Sequence, residues 1–462
     1  MKKWLSLILA MVLLVAAVPA GAETAPSPTP TPQPHTPVVS QIADPQPLCK
    51  AAVLLYADTG EVFYDFHGDD HNFPASITKV MTALLTLEAV ERGEISLEQV
   101  VTVSDSYAFD LSTDGSTQNI KTGEMLSVQE LLYCALVASA NEACNILAET
   151  VSGNVALFID KMNQRAEELG MENTHFANTH GLHDANHYTS AADLGKLVRE
   201  AMKNETFRTI VSSRSHTTPA TNLSEERTYI NTNALLTGAR YPGYTYAHAI
   251  GVKTGSTPEA GQCLASAAIQ DGQTIICIVM GAENVANEDG TVTRNSFAES
   301  KRLLEWGFAN FSRRALLDES IPVKELPVTL SSDASAVALK PQTGLEAVLP
   351  NDVDPALFEQ VITVYAEELE APVQAGQELG ELSIRNGETT YGTVKLVAAA
   401  TVERSELLYR LHQVKLFFQN FWVRVGLVAL AVLIVFLIIR SKTSRRRKNR
   451  RGYTGKSRRG FR

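Results

Sequence analysis

Between residues 48 and 310 the apolar positions change period repeatedly, the mark of helices and strands sharing one core. Ala51 to Tyr56 and Glu61 to Tyr64 read as two strands joined at Asp58-Thr59-Gly60, a hairpin signal. Helical spacing follows over Ser76 to Glu88, with Pro74 placed to end the extended chain before it. The same spacing recurs over Ser127 to Val137, Asn141 to Val151, Val155 to Gly170, Ser190 to Met202 and Ser296 to Asn310. Within these stretches Leu131, Leu132, Leu136, Ile146 and Leu147 are expected to be buried. Ala247 to Lys253, Cys263 to Gln270 and Thr274 to Met280 read as apolar strands bounded by glycine. A hairpin, a block of helices, three strands and a closing helix predict one α/β (α+β) domain over 47–311. From 317 to 402 the chain alternates at period two, as in Ile321-Val323 and Val394-Leu396, with Gly and Pro punctuation, which predicts a smaller all-β domain.

The two ends follow other rules. Lys2-Lys3, an uncharged apolar run from Trp4 to Val18 and the small residues Ala20-Gly21-Ala22 predict a secretory signal over 1–22. Residues 23–46, rich in Pro and Thr, read as a linker that is semi-rigid where prolines cluster. Residues 403–420 form an amphipathic stretch suited to a membrane interface, and 421–439 are apolar and long enough for one membrane span. Arg424 sits near the outer end of that run, where a long side chain can snorkel to the interface.

Composition is ordinary for a globular protein, 45% apolar and 20% charged, and excludes a disordered chain. The net charge of −10 hides a strong asymmetry: twelve cations and no acid lie in 440–462, which leaves −22 on residues 1–439. A basic tail suits nucleic acid or anionic lipid equally, but directly after a span the positive-inside rule accounts for it as a cytoplasmic flank, and no nucleic-acid partner is expected. The five cysteines are an odd, scattered set and make a poor disulfide framework. Cys134, Cys144, Cys263 and Cys277 are expected to be small buried hydrophobes.

Three short elements carry chemistry. Ser76-Ile77-Thr78-Lys79 is the one S-x-x-K element of the chain, and helical spacing brings the Lys79 amine to the Ser76 hydroxyl. Serine becomes a useful nucleophile when a base takes its proton, and lysine is such a base only when burial or nearby cations lower its pKa. A chain of this size yields roughly one such match by chance, so the element needs partners. Of two S-x-N triplets, Ser139-Ala140-Asn141 interrupts two apolar helices and is held rigidly, whereas Ser152-Gly153-Asn154 reads as a helix terminus. Of two K-T-G triplets, Lys253-Thr254-Gly255 ends an apolar strand and leads into Ser256-Thr257, whereas Lys121-Thr122-Gly123 reads as a loop. A lysine and hydroxyls on a strand can bind a carboxylate, and Gly255 permits close backbone approach.

The order S-x-x-K, S-x-N, K-T-G, with Phe176-Ala177-Asn178 before Gly181-Leu182 and His187-Tyr188-Thr189-Ser190-Ala191, resembles the low-molecular-mass penicillin-binding proteins that are serine-type D-alanyl-D-alanine carboxypeptidases. The likeness covers about 47–311, and less specifically the segment to 402. It implies a penicillin-binding/β-lactamase-like transpeptidase fold with a C-terminal all-β domain. It implies removal of the terminal D-alanine from peptidoglycan stem pentapeptides through an acyl-enzyme, and acylation by β-lactam antibiotics. Ser76 would be the nucleophile, Lys79 its base, Ser139 a proton relay and Asn141 a substrate contact. Lys253, Thr254 and Thr257 would hold the terminal carboxylate, and the N–H groups of Ser76 and Ser256 would form the oxyanion hole. No cofactor is implied. A β-lactamase and a non-catalytic wall-binding scaffold remain the alternatives; the first needs a carboxylate that activates water, and no Glu stands out for it. His175, His180, His183 and His187 invite a metal reading, but lack the H-E-x-x-H spacing. The chain is expected outside the cytoplasmic membrane, anchored by its C-terminal span.

Overall fold

The structure, a computed structural model, describes residues 37–451 other than 109, 113 and 114, and no side chains in 443–451. The expected signal, residues 23–36 of the linker and 452–462 of the basic tail lie outside the described residues.

Among the described residues the chain forms two compact units, one of 39–318 with 344–355 and one of 37–38, 319–343 and 356–451. The first is built on five antiparallel strands: β1 (Ala51–Tyr56), β2 (Val62–Phe66), β3 (Ala249–Thr257), β4 (Gly261–Gln270) and β5 (Gln273–Ala282), in the order β2-β1-β5-β4-β3. β1 is buried on both faces, and its alternation sorts residues between two cores. Ala51, Val53 and Leu55 join the larger helical core, while Ala52, Leu54 and Tyr56 face the smaller one. Full burial of each branched or aromatic side chain contributes roughly 1.5–3 kcal/mol.

The larger core is filled by α1 (Lys79–Glu91), α2 (Val128–Leu136), α3 (Asn141–Ser152), α4 (Val155–Glu168), α5 (Ala191–Ala201) and α6 (Glu205–Ser212). The smaller core is closed by α7 (Asn295–Asn310). The residues expected to be buried in α2 and α3 are buried, and α2, α4 and α5 are capped by Ser127, Asn154 and Ser190. Gly153 ends α3 at φ 78°, as the Ser152-Gly153-Asn154 reading requires. α1 differs from a surface helix because it is buried nearly all round, so it runs through the body rather than over it. α6 has no counterpart in the sequence reading. The strand Leu345–Pro350 pairs with Phe311–Leu317, and the Val348 N–H donates to the Glu61 carboxylate, so 344–355 belong to this unit.

The second unit is a six-stranded sheet of β6 (Lys324–Thr329), β7 (Ala336–Pro341), β8 (Glu359–Val364), β9 (Leu369–Glu370), β10 (Glu378–Asn386) and β11 (Thr389–Ala398), ordered β8-β10-β11-β7-β6-β9. It is followed by α8 (Glu406–Gln419) and α9 (Phe421–Arg451). Phe421–Lys442 has a mean hydropathy of 2.8 and none of it is buried in the protein, so α9 is a candidate membrane anchor.

Candidate active site

The nucleophile candidate stands on a strained turn. Ala75 has φ 46°, and Ala75–Thr78 make a 3-10 turn that runs directly into α1. Pro74, Ala75, Ile77, Thr78 and Lys79 are buried, so Ser76 is the residue of this stretch that faces outward. The turn is braced from beneath. Thr78 Oγ1 donates to the Ala75 carbonyl at 2.8 Å and contacts His187 Nε2 at 2.8 Å. Because His187 Nδ1 accepts from the N–H of Ala177 (3.0 Å) and Asn178 (3.3 Å), the ring proton sits on Nε2 and is donated to Thr78. Burial holds His187 down to about 3, so the ring stays neutral. Gly181, at φ 88°, packs against the same carbonyl: a Cβ there would lie 1.8 Å from Ala75 O.

The Lys79 side chain is fully buried, with Nζ 2.8 Å from Ser76 Oγ, 2.7 Å from Asn141 Oδ1 and 2.7 Å from the His180 carbonyl. Burial lowers its pKa from 10.5 to about 8, against smaller raising influences from Cys144 and Glu142. Asn141 Oδ1 and His180 O can only accept. A neutral amine therefore gives them its two N–H bonds and is left with its lone pair directed at the serine hydroxyl. A 3-10 turn stacks residues i and i+3, so the contact survives although the helix begins at Lys79 rather than Ser76.

Ser139 lies between α2 and α3 at φ 66° and is buried. Two backbone bonds fix this corner, Ala140 N–H to Cys134 O at 2.9 Å and Asn141 N–H to Ser116 O at 2.9 Å. Across from it runs β3, the edge strand. A Cβ on Gly255 would come within 2.8 Å of Pro74 O, which explains glycine where the strand passes the nucleophile turn. Thr254 Oγ1 lies 2.7 Å from Thr232 Oγ1, and Gln262 Nε2 donates to Ser256 Oγ at 2.8 Å.

Ser76, Ser139, Thr254, Gly255 and Ser256 line one cavity of about 210 Å³, together with Arg240 and Arg294. Lys253 and Thr257 stand off its wall. Lys253 is buried and donates to the Thr254 carbonyl at 3.0 Å; burial, and then the Lys79 charge, push its pKa well below the usual range. Thr257 Oγ1 accepts from Ala260 N–H at 3.0 Å and closes the β3–β4 turn. The two arginines are what the sequence reading lacks. Arg240 lies in an irregular segment after Thr237 and Arg294 ends the short strand Val292–Arg294 before α7, neither with a fixed spacing to a motif, and Arg294 lies 3.7 Å above the Tyr241 ring.

Lys121-Thr122-Gly123 is a turn, as read. His175, His180 and His187 are each engaged, with Asn186 O, Asp110 Oδ1 and Thr78 Oγ1, and His183 packs edge-on to Phe73. Among the described residues no group of three or more His, Cys, Asp or Glu is arranged to hold a metal ion. Cys134, Cys144, Cys263 and Cys277 are buried thiols, raised by burial.

This geometry has relatives. The D-alanyl-D-alanine carboxypeptidase family (peptidase S11) matches residues 39–284, and the C-terminal domain of penicillin-binding protein 5 matches 311–404. The D-alanyl-D-alanine carboxypeptidase DacF of Bacillus subtilis is 31% identical over 336 residues, 73% of this chain and 81% of that protein. A D-alanyl-D-alanine carboxypeptidase of Streptomyces sp. strain K15 is 32% identical over 56% of this chain and 88% of its own length. The crystal structure of penicillin binding protein 5 from Haemophilus influenzae superposes with a TM-score of 0.61 at 27% identity, covering 79% of this chain and 100% of that one. With more than half of its length matched by the family and its elements in the same fold, the chain belongs to the D-alanyl-D-alanine carboxypeptidases of the peptidase S11 family.

Proposed function

We propose that this serine-type D-alanyl-D-alanine carboxypeptidase works through Ser76, with Lys79 as base, on peptidoglycan stem pentapeptides. The observation that carries the assignment is the buried Lys79 amine, whose two acceptor-only neighbours leave its lone pair toward Ser76 Oγ. Lys79 takes the hydroxyl proton as Oγ attacks the carbonyl of the penultimate D-alanine. The oxyanion that develops is held by the N–H groups of Ser76 and Ser256. Ser139 passes the proton to the departing amine, terminal D-alanine leaves, and water then hydrolyses the acyl-enzyme. The terminal carboxylate lies toward Thr254, Arg240 and Arg294 on the cavity wall. Lys253 and Thr257 act from behind, one bracing the Thr254 backbone and the other the turn. Asn141 orients Lys79 through Oδ1 and leaves its amide for the substrate backbone. A β-lactam acylates Ser76 by the same attack.

The 47–311 domain stands outside the cytoplasmic membrane after export on the 1–22 signal, α8 rests at the interface, and α9 crosses with 440–462 on the cytoplasmic side. The test is covalent. Intact protein labelled with a penicillin and digested should carry the adduct on the peptide containing Ser76, released slowly, and Ser76→Ala should abolish both labelling and D-alanine release. An adduct on any other residue overturns the assignment.

A further inference from the structure

One of the two acceptors that orient the Lys79 amine is the His180 carbonyl, and the ring of the same residue carries a second tie. His180 is buried, and burial lowers its pKa, so the imidazole is neutral and donates through one nitrogen only. Nδ1 accepts from the Leu182 N–H at 3.2 Å. The ring proton therefore sits on Nε2 and is donated to Asp110 Oδ1 at 2.9 Å. Asp110 lies in the exposed loop that follows the 3-10 turn Asp105–Ala108, at φ 56°, a conformation that aspartate tolerates better than most residues. Its Oδ1 also faces Asn145 Nδ2 of α3 at 3.4 Å. One carboxylate thus joins three separate segments: its own loop, α3 and the run 178–182. That run has other supports, since Asn178 Oδ1 accepts from the His180 N–H at 3.3 Å and the Gly181 N–H at 2.7 Å, and Thr179 Oγ1 donates to Asn145 Oδ1 at 2.6 Å.

Removing the Asp110 carboxylate leaves a buried ring N–H without its acceptor, which is costly. The ring relieves that cost by changing tautomer or by turning, and either movement gives up the Leu182 N–H. The peptide that carries the His180 carbonyl then shifts. With one of its two acceptors displaced, the amine no longer keeps its lone pair on Ser76 Oγ. We propose that Asp110 is a positioning residue for acylation, holding the His180 ring so that the His180 carbonyl aims the Lys79 amine at Ser76. It acts through His180 and lies outside all three sequence motifs. The inference rests on the reading of Ser76 and Lys79 and deepens it.

The test is stopped-flow labelling of the full-length protein in detergent over a range of fluorescent penicillin concentrations, which separates noncovalent binding from the acylation step. Asp110→Ala should slow acylation about tenfold, the worth of one hydrogen bond to a charged group, and leave binding within about twofold. The ties through Asn178 and Thr179 keep the loss from being complete. Asp110→Asn keeps an oxygen for the Nε2–H and should acylate within about threefold of wild type. Asp110→Ala and His180→Ala remove the same tie, so the double variant should be no slower than the slower single one. Unchanged acylation with weaker binding in Asp110→Ala, an Asn variant as slow as the Ala variant, or losses that multiply in the double variant would each overturn the positioning role. Should His180→Ala fail to fold, the contrast between the Ala and Asn variants and the split between binding and acylation decide. If wild-type Ser76 takes no penicillin, the serine-hydrolase reading fails first, and on separate grounds.

Discussion

If Lys79 is the base proposed above, its burial sets the pH at which the enzyme can form its acyl intermediate. With its pKa lowered to about 8, the amine is neutral in about 1% of molecules at pH 6, about 9% at pH 7, half at pH 8 and about 90% at pH 9. Acylation requires the neutral form, so its rate should climb almost tenfold per pH unit below pH 7 and level off above pH 9. The sign follows from the direction of the shift: a lysine at its ordinary 10.5 would still be climbing at pH 10. The assay is the second-order rate of Ser76 labelling by a fluorescent penicillin between pH 5.5 and 9.5, repeated for D-alanine release under kcat/KM conditions. Lys79→Arg sharpens the test. A guanidinium fills the same space but stays protonated, so the rate should fall by about 10²–10⁴ at every pH and lose its rising limb. A wild-type profile flat from pH 6 to 9, or a Lys79→Arg rate within tenfold of wild type, would refute the lone-pair argument.

Three further outcomes follow from the same geometry. Gly181→Ala places a Cβ against the Ala75 carbonyl, so labelling should fall at least tenfold and thermal stability should drop by about 2 kcal/mol or more, read by calorimetry. His187 is held at about 3 against an ordinary 6.5, so the unfolded chain binds a proton that the folded one refuses between those values. Stability should therefore decline by up to about 1.4 kcal/mol per pH unit as pH falls from 6 to 4, and His187→Gln should flatten that slope in urea titrations. Ending the chain before Phe421 removes the one helix among the described residues long and apolar enough to span a membrane, and should move the protein from the membrane to the soluble fraction on cell fractionation.

Much of the fold is legible because period two and helical spacing alternate cleanly between residues 48 and 310. β1 was expected over Ala51 to Tyr56 and spans those residues, since six consecutive apolar positions fit a strand covered on both faces. α6 escapes notice because eight residues with Phe207, Ile210 and Val211 buried give too short a pattern to distinguish from a loop. The strand Leu345–Pro350 reads as β structure, but nothing local says that its partner is Phe311–Leu317 rather than its neighbours in sequence. At the site, the motif residues announce themselves by order and spacing, whereas Arg240 and Arg294 do not. Their positions depend on how segments far from any motif fold back over the cavity, a long-range property that no periodicity encodes.

Two of the three groups around the Lys79 amine are drawn from distant parts of the chain, Asn141 being 62 positions away and the His180 carbonyl 101. In an unfolded chain that enclosure is absent, and Lys79 is an ordinary hydrated cation beside an inert alcohol. Reactivity therefore arrives only when the whole body has closed, which makes a labelled penicillin a clock for completed folding as much as a reagent for the enzyme.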